Sequence, residues 1–379
     1  MPEKSKSILI IAGESSGDYH GANLVKAMKT LDPSLSFWGL GGAKMEMAGV
    51  ELVKNIQELS VLGVTDVLKK IKPIISTFRL LKKELLARGA DTVLLVDYPG
   101  FNLRFAQMAK KRGFKVVYYI TPKVWAWGGR RINKLRNSID KALVIFSFEE
   151  EIFRRAGIPV SFVGNPLLDG IKTAATKSEA RQLLRLNGEK ETIVLLPGSR
   201  EGEIRRILPA IMEAAQILSH NQPSRQFILP LADSIAEADI MRLIAGQGIA
   251  VKVVSGETHN AIKAADMAIA TSGTVTLETA IIGVPMVIVY KTSLTTYLIA
   301  KLLARTSFIG LPNIILGKAV VCELLQGLAT GERIATEVES LGSRREEFAQ
   351  AFASIREMLG AGNAVERVAQ EIFAMLRNR

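Results

Sequence analysis

The chain of 379 residues is longer than one ordinary core supports, and its length points to two or three domains. Its 48% apolar and 23% charged residues exclude a disordered or collagen-like chain, and a net charge of +12 points to a polyanionic partner: nucleic acid, an anionic membrane surface or a phosphorylated substrate. One cysteine, Cys322, and three scattered histidines, His20, His220 and His259, exclude a disulfide framework and a cysteine-rich zinc site, leave little for a histidine-based metal centre, and fit a reducing compartment.

The N-terminus holds only a short apolar run, less than a signal peptide needs, and no uncharged apolar stretch of about 18 residues follows; Ala280–Tyr290 comes nearest. A cytoplasmic protein is the expectation. The runs SILIIAG (7–13), TVLLVDY (92–98), KVVYYIT (115–121), KALVIFS (141–147) and VSFVGNP (160–166) read as buried strands separated by helical stretches. A second series follows in TIVLLPG (192–198), RQFILPL (225–231), AVKVVSG (250–256), MAIATSG (267–273) and PMVIVYK (285–291). Continuous apolar strands alternating with helices indicate parallel sheets covered on both faces. The expected fold class is therefore α/β, with two doubly wound, Rossmann-like domains facing a cleft. The polar segment Asp169–Glu191 separates the series, giving domains 1–168 and 169–343, and residues 344–379 read as a helical segment without a strand. The positive charge gathers in the first domain, where residues 60–140 hold 17 basic and 5 acidic side chains.

Ligands of open α/β sheets sit at the carboxyl ends of strands. The first such end, AGESSGDYHG, offers small residues and a helix start to an anion, with Glu14 aimed at a cleft; a tight turn capped by Ser16 or Asp18 explains it as well. It lacks the G-x-G-x-x-G spacing of a dinucleotide fold. In VLLVDYPGFN, Asp97 directly follows a buried run, where a carboxylate is either a general base for a hydroxyl or a turn carboxylate near Pro99-Gly100. TPKVWAWGGRRINKLR sets Trp125 and Trp127 beside Arg130, Arg131, Lys134 and Arg136, which suits a sugar, a phosphate or a base, or else core tryptophans ahead of a solvated basic helix. LLPGSREGEI presents Arg200 to a phosphate. In ATSGTVTLETA a helix starting at Ser272, Gly273 and Thr274 would hold a diphosphate, with Glu278 on ribose hydroxyls; a helix cap explains Thr274–Glu278 nearly as well. Finally, residues 59–83 interleave Val61, Leu62, Val64, Val67, Leu68, Ile71, Ile74 and Ile75 with Lys69, Lys70, Lys72, Arg79, Lys82 and Lys83. This is either a basic interfacial helix on anionic lipid or an ordinary amphipathic surface helix.

Taken together and in order, AGESSGDYHGANL, GLGGAKMEMAG, LSVLGV, DYPGFNLRFA, TPKVWAWGGRRI, FVGNPLLD, LLPGSREGEI, TSGTVTLETA, PMVIVYK, LPNIILG and ELLQ resemble the lipid-A-disaccharide synthase family, from Ala12 to Gln326. The resemblance implies a GT-B glycosyltransferase that moves 2,3-diacylglucosamine from UDP-2,3-diacylglucosamine to the 6-hydroxyl of 2,3-diacylglucosamine 1-phosphate. The products are lipid A disaccharide 1-phosphate and UDP. It implies peripheral attachment to the cytoplasmic face of the anionic inner membrane and a homodimer with exchanged C-terminal segments. By position, Asp97 matches the family's candidate base. Arg200, Glu278 and Asn313 match residues near UDP, and Glu14, Ser16, Gly17 and Asp18 match the acceptor-side turn. Ser272, Gly273, Thr274, Trp127 and Gln326 complete the substrate-binding candidates. The chain departs from the family at Asn165, where histidine is expected, at Cys322 for proline and at Lys123 for glutamine. An asparagine keeps a hydrogen-bond donor but does not titrate near neutral pH.

The residue-level chemistry agrees. An inverting transfer needs one base and charge stabilisation on the departing UDP, which helix N-termini and Arg200 can supply without metal. No Asp-x-Asp pair occurs, so a metal-chelating nucleotide-sugar site is not expected, and no cofactor is implied. The competing readings are another GT-B enzyme acting on UDP-N-acetylglucosamine and a basic nucleic-acid-binding protein. A water-soluble sugar leaves the apolar stretch at 61–75 without a purpose, and no nucleic-acid motif appears, so no nucleic-acid partner is expected.

Overall fold

Runs of Ile, Leu and Val without helical spacing satisfy their backbone in a sheet covered on both sides, and the chain uses them that way. The computed structural model describes residues 6–60, 67–127, 130–232, 235–293 and 307–377. These fall into two units, Met1–Asp169 with Leu359–Arg379, and Gly170–Met358.

Unit 1 contains β1 (Ser7–Ala12), β2 (Ser36–Gly41), β3 (Val50–Asn55), β4 (Thr92–Val96), β5 (Val116–Tyr119), β6 (Lys141–Val144) and β7 (Val160–Phe162). They form one parallel sheet in the order β3-β2-β1-β4-β5-β6-β7. Unit 2 contains β8 (Thr192–Leu196), β9 (Gln226–Leu231), β10 (Val251–Ser255), β11 (Met267–Thr271), β12 (Met286–Tyr290) and β13 (Glu323–Leu325). Its sheet is also parallel, in the order β10-β9-β8-β11-β12-β13. Strand order reverses between β1 and β4 in unit 1 and between β8 and β11 in unit 2. Each reversal leaves a crevice at the carboxyl ends, where doubly wound sheets bind ligands.

Side chains alternate across the unit 1 sheet. Leu9, Ile11, Val93, Leu95 and Tyr118 enter one core, with Phe101 and Phe105. Ile8, Ile10, Ala12, Val96 and Tyr119 enter the other, with Leu24, Val25 and Met28 of the helix Ser15–Leu31. The last helix, Ala364–Arg377, adds Val368, Ala369, Ile372 and Leu376 to this second core.

Three strands do not stand out in the sequence. β2 is broken by glycines, β3 alternates in polarity, and β13 has only three residues. Gly39 in β2 has φ 150° and a Cβ there would lie 2.0 Å from the Ile10 carbonyl oxygen, so only glycine permits β2 to approach β1 so closely. The segment Asp169–Glu191 also does more than connect. Its helix Lys177–Leu183, capped by Thr176, sends Lys177 and Arg181 to Asp266, whose carboxylate also accepts from the Thr192 backbone N–H at 2.7 Å. The C-terminal segment 344–379 differs from the expected separate piece. Its helix Arg345–Leu359 belongs to unit 2 up to Met358, and the remainder returns to unit 1.

Candidate active site

At the unit 1 reversal, β1 runs into Gly13 and Glu14, and β4 into Asp97 and Tyr98. Asp97 and Tyr98 have φ of 48° and 51°, two successive left-handed residues without glycine. Such backbone is costly and persists where the surroundings over-determine it. Here Asn102 Nδ2 donates to the Asp97 carbonyl at 2.7 Å and the Tyr118 hydroxyl donates to the same oxygen at 2.8 Å. The Asp97 N–H donates to Tyr119 at 3.1 Å. The turn thus fixes the half-buried Asp97 carboxylate at the crevice. Burial, and then the nearby Glu14 carboxylate, hold its pKa above the usual range, against the Tyr98 backbone N–H and the Lys123 ammonium. A carboxylate so placed can take a proton from a hydroxyl. Gly13 makes room for it, because a Cβ there would lie 2.0 Å from the Tyr98 ring.

The other N-terminal candidates divide by what they touch. Glu14 and Ser16 are exposed at the helix start. Gly17 is buried, with room for a Cβ only 3.3 Å from that of Ala12. Asp18 is 5% exposed and accepts the backbone N–H groups of Gly42 (2.8 Å), Met45 (3.0 Å) and Lys44 (3.2 Å), which caps the helix Ala43–Met47. Trp127 closes the short helix Val124–Trp127, and its side chain lies outside the described residues. Asn165 accepts the Leu167 N–H at 3.0 Å and is buried, a helix-capping role at the position where histidine was expected.

In unit 2 the carboxyl ends of β8, β9, β10 and β11 enclose a cavity of about 780 Å³. Arg200, Ser272, Gly273, Thr274 and Glu278 all line it, as does His259. The helix Thr274–Ile282 starts at this cavity, and a helix N-terminus offers its unpaired N–H groups to an anion. Arg200 is exposed and holds Glu203 at 2.8 Å. Glu278, half-buried, has its pKa raised by burial and lies 4.0 Å from His259, whose pKa burial lowers. Ser272 donates its hydroxyl to the Ile309 carbonyl at 3.1 Å, and the Thr271 hydroxyl beside it is buried without a partner among the described residues.

Asn313 and Gln326 do not line that cavity. Asn313 Nδ2 donates to Val321 O and Glu323 Oε1, both at 2.8 Å, while its Oδ1 accepts from Val320 and Val321 at 2.9 Å. All four positions of the amide are taken, so it fastens the 309–323 loop. Gln326 pairs with the Thr292 backbone at 2.8 and 3.1 Å. Of the stretch 59–83, residues 61–66 and the side chains of 59, 60 and 67–71 lie outside the described residues. Beyond them Ile74 packs on the core and Ile75 is exposed. No described helix is long and apolar enough to cross a membrane. Sequence reading missed Asn102, Tyr118 and Glu149. Asn102 lay inside the DYPGFN motif, and Glu149 was hidden in a run of three glutamates.

A family model described as lipid-A-disaccharide synthetase matches residues 8–376. The chain is 43% identical over 375 residues to a lipid-A-disaccharide synthase of Geobacter metallireducens, covering 98% of each. Among solved structures it is similar to MurG of Acinetobacter baumannii, with a TM-score of 0.60, 14% identity, and 98% of this chain and 100% of that one covered. It is also similar to a UDP-GlcNAc 2-epimerase of Neisseria meningitidis bound to UDP-GlcNAc, with a TM-score of 0.59, 13% identity and the same coverage. The two structures share the fold alone, the GT-B arrangement of two parallel sheets.

Proposed function

The chain belongs to the lipid-A-disaccharide synthetase family, and from that premise we propose how its residues divide one glycosyl transfer. It is a GT-B glycosyltransferase with lipid-A-disaccharide synthase activity. The donor is UDP-2,3-diacylglucosamine and the acceptor 2,3-diacylglucosamine 1-phosphate. Asp97 takes the proton of the acceptor 6-hydroxyl as its oxygen attacks the donor's anomeric carbon. The bond from that carbon to the diphosphate breaks, and UDP leaves with the electron pair. Arg200 and the helix start at Ser272–Thr274 receive the diphosphate charge, and Glu278 accepts the ribose hydroxyls. The observation that carries this assignment is that Arg200, Ser272, Gly273, Thr274 and Glu278 line one cavity.

The acyl chains of both substrates require the enzyme to work at a bilayer surface. We assign peripheral attachment to the cytoplasmic face of the inner membrane, through the basic, apolar 61–83 stretch. A homodimer that exchanges C-terminal segments belongs to the same reading, supported by the resemblance; the apolar face of Ala364–Arg377 is the surface such an exchange would use. Incubating the purified chain with both substrates tests the reaction. UDP release coupled to disaccharide formation is expected, and release of UDP without acceptor consumption would refute the transfer.

A further inference from the structure

The carboxyl end of β5 turns sharply through residues that the proposed transfer does not use. Ile120 has φ 55°, a conformation that a β-branched residue adopts only under constraint. The Thr121 hydroxyl is buried with no partner among the described residues, and Val124 N–H closes back on Pro122 at 2.7 Å. At the tip stands Lys123, exposed, with no hydrogen bond or ion pair among the described residues. The turn is clamped on both sides. Before it, the Asp97 N–H holds Tyr119 at 3.1 Å and the Ile120 N–H holds Leu143 at 3.2 Å. After it, the Trp125 indole N–H donates to Glu149 at 2.9 Å, and Glu149 is 2% exposed. Lys123 is therefore a flexible cation on a rigid base, and its charge acts on both Asp97 and Glu149.

An acceptor that carries a phosphate brings a charge of about −1.5 to −2 to a crevice that already holds Glu14 and Asp97. Those like charges oppose it, and at position 123 the chain carries a lysine where the family has glutamine, a cation that offsets them. We propose that Lys123 is the specificity residue for the acceptor's phosphate, held beside Asp97 by the Trp125–Glu149 clasp. The inference rests on the acceptor assigned above. The source of the ligand chemistry is a phosphomonoester on a sugar, and a lysine on a mobile stem suits it as a point charge.

The test compares the full chain with Lys123→Met and Lys123→Arg, using 2,3-diacylglucosamine 1-phosphate and the same sugar without phosphate, and reads initial rates of UDP release. In Lys123→Met the ratio of kcat/KM for the phosphorylated over the unphosphorylated acceptor should fall by about tenfold or more, carried by KM, while Lys123→Arg keeps most of it. An equal loss on both acceptors, or no change on either, overturns the proposal; the first would make Lys123 a partner of Asp97 alone. A wild-type chain that prefers neither acceptor also overturns it, while leaving the transfer intact. If the wild-type chain releases no UDP with either, the transfer reading fails and this inference falls with it.

Discussion

Replacing Glu149 by glutamine isolates one buried proton. The Glu149 carboxyl accepts the Trp125 indole N–H at 2.9 Å and the Phe146 backbone N–H at 3.3 Å, and burial pushes its pKa from 4.5 to about 7, against those hydrogen bonds and the Lys123 charge. The folded chain therefore keeps a proton that the unfolded chain releases near 4.5. That contribution to stability is fully present below 4.5 and is lost as pH rises through about 7. A difference of about 2.5 pH units at about 1.4 kcal/mol each is worth about 3 kcal/mol, most of it lost between pH 5 and 8. Glu149→Gln is neutral throughout and keeps a carbonyl for Trp125, so it escapes the loss. Urea unfolding of both proteins from pH 5 to 8 should show the stability difference moving by about 2–3 kcal/mol in favour of the glutamine variant. A difference that stays constant across the range would mean that the carboxyl is ionised when folded, and would refute the reasoning.

Asp97→Asn should lower turnover by about a hundredfold or more with the circular dichroism unchanged, and near-normal turnover would leave only the turn role. Since the base must be ionised and its pKa lies above the usual carboxylate range, kcat/KM should rise with pH through that raised value; a profile flat down to ordinary carboxylate pH contradicts it. With Arg200 and the Ser272–Thr274 helix start carrying the diphosphate charge, activity should persist in excess EDTA, and loss restored by Mg²⁺ or Mn²⁺ would contradict that assignment. Sedimentation with vesicles rich in anionic lipid should be partly reversed by salt and weakened when Val64, Val67 and Leu68 become serine. Undiminished sedimentation of the folded triple variant would move the attachment surface elsewhere.

The strands that carry the site were legible because central strands of parallel sheets are unbroken apolar runs, as in β1, β4, β8 and β11, and because ligands gather at their carboxyl ends. Those ends made Asp97, Arg200 and Glu278 candidates, and the resemblance gave them their expected roles. What spacing does not reveal is where a polar side chain spends its hydrogen bonds. Asp18 and Asn313 stand in matched motifs, yet their oxygens are taken by backbone N–H groups 24 to 27 and 7 to 8 residues away. Glu149 shows the converse. In sequence it belongs to a run of glutamates, yet the fold buries it, with the Trp125 indole and the Phe146 backbone N–H as its donors.

The return of the last helix to unit 1 sets an order of events during synthesis. Unit 2 is contiguous, whereas unit 1 is split around it and is complete only when Val368, Ala369, Ile372 and Leu376 reach the core beside Leu24, Val25 and Met28. At bacterial and eukaryotic elongation rates of about 5–20 residues per second, the stretch from Asp169 to Ala364 takes roughly 10–40 s to translate. Throughout that interval the nascent first unit displays an uncovered apolar face. The unit begun first is thus finished last, and a chaperone that shields apolar surface should be found on ribosome-bound chains ending before Ala364, but not on released full-length ones.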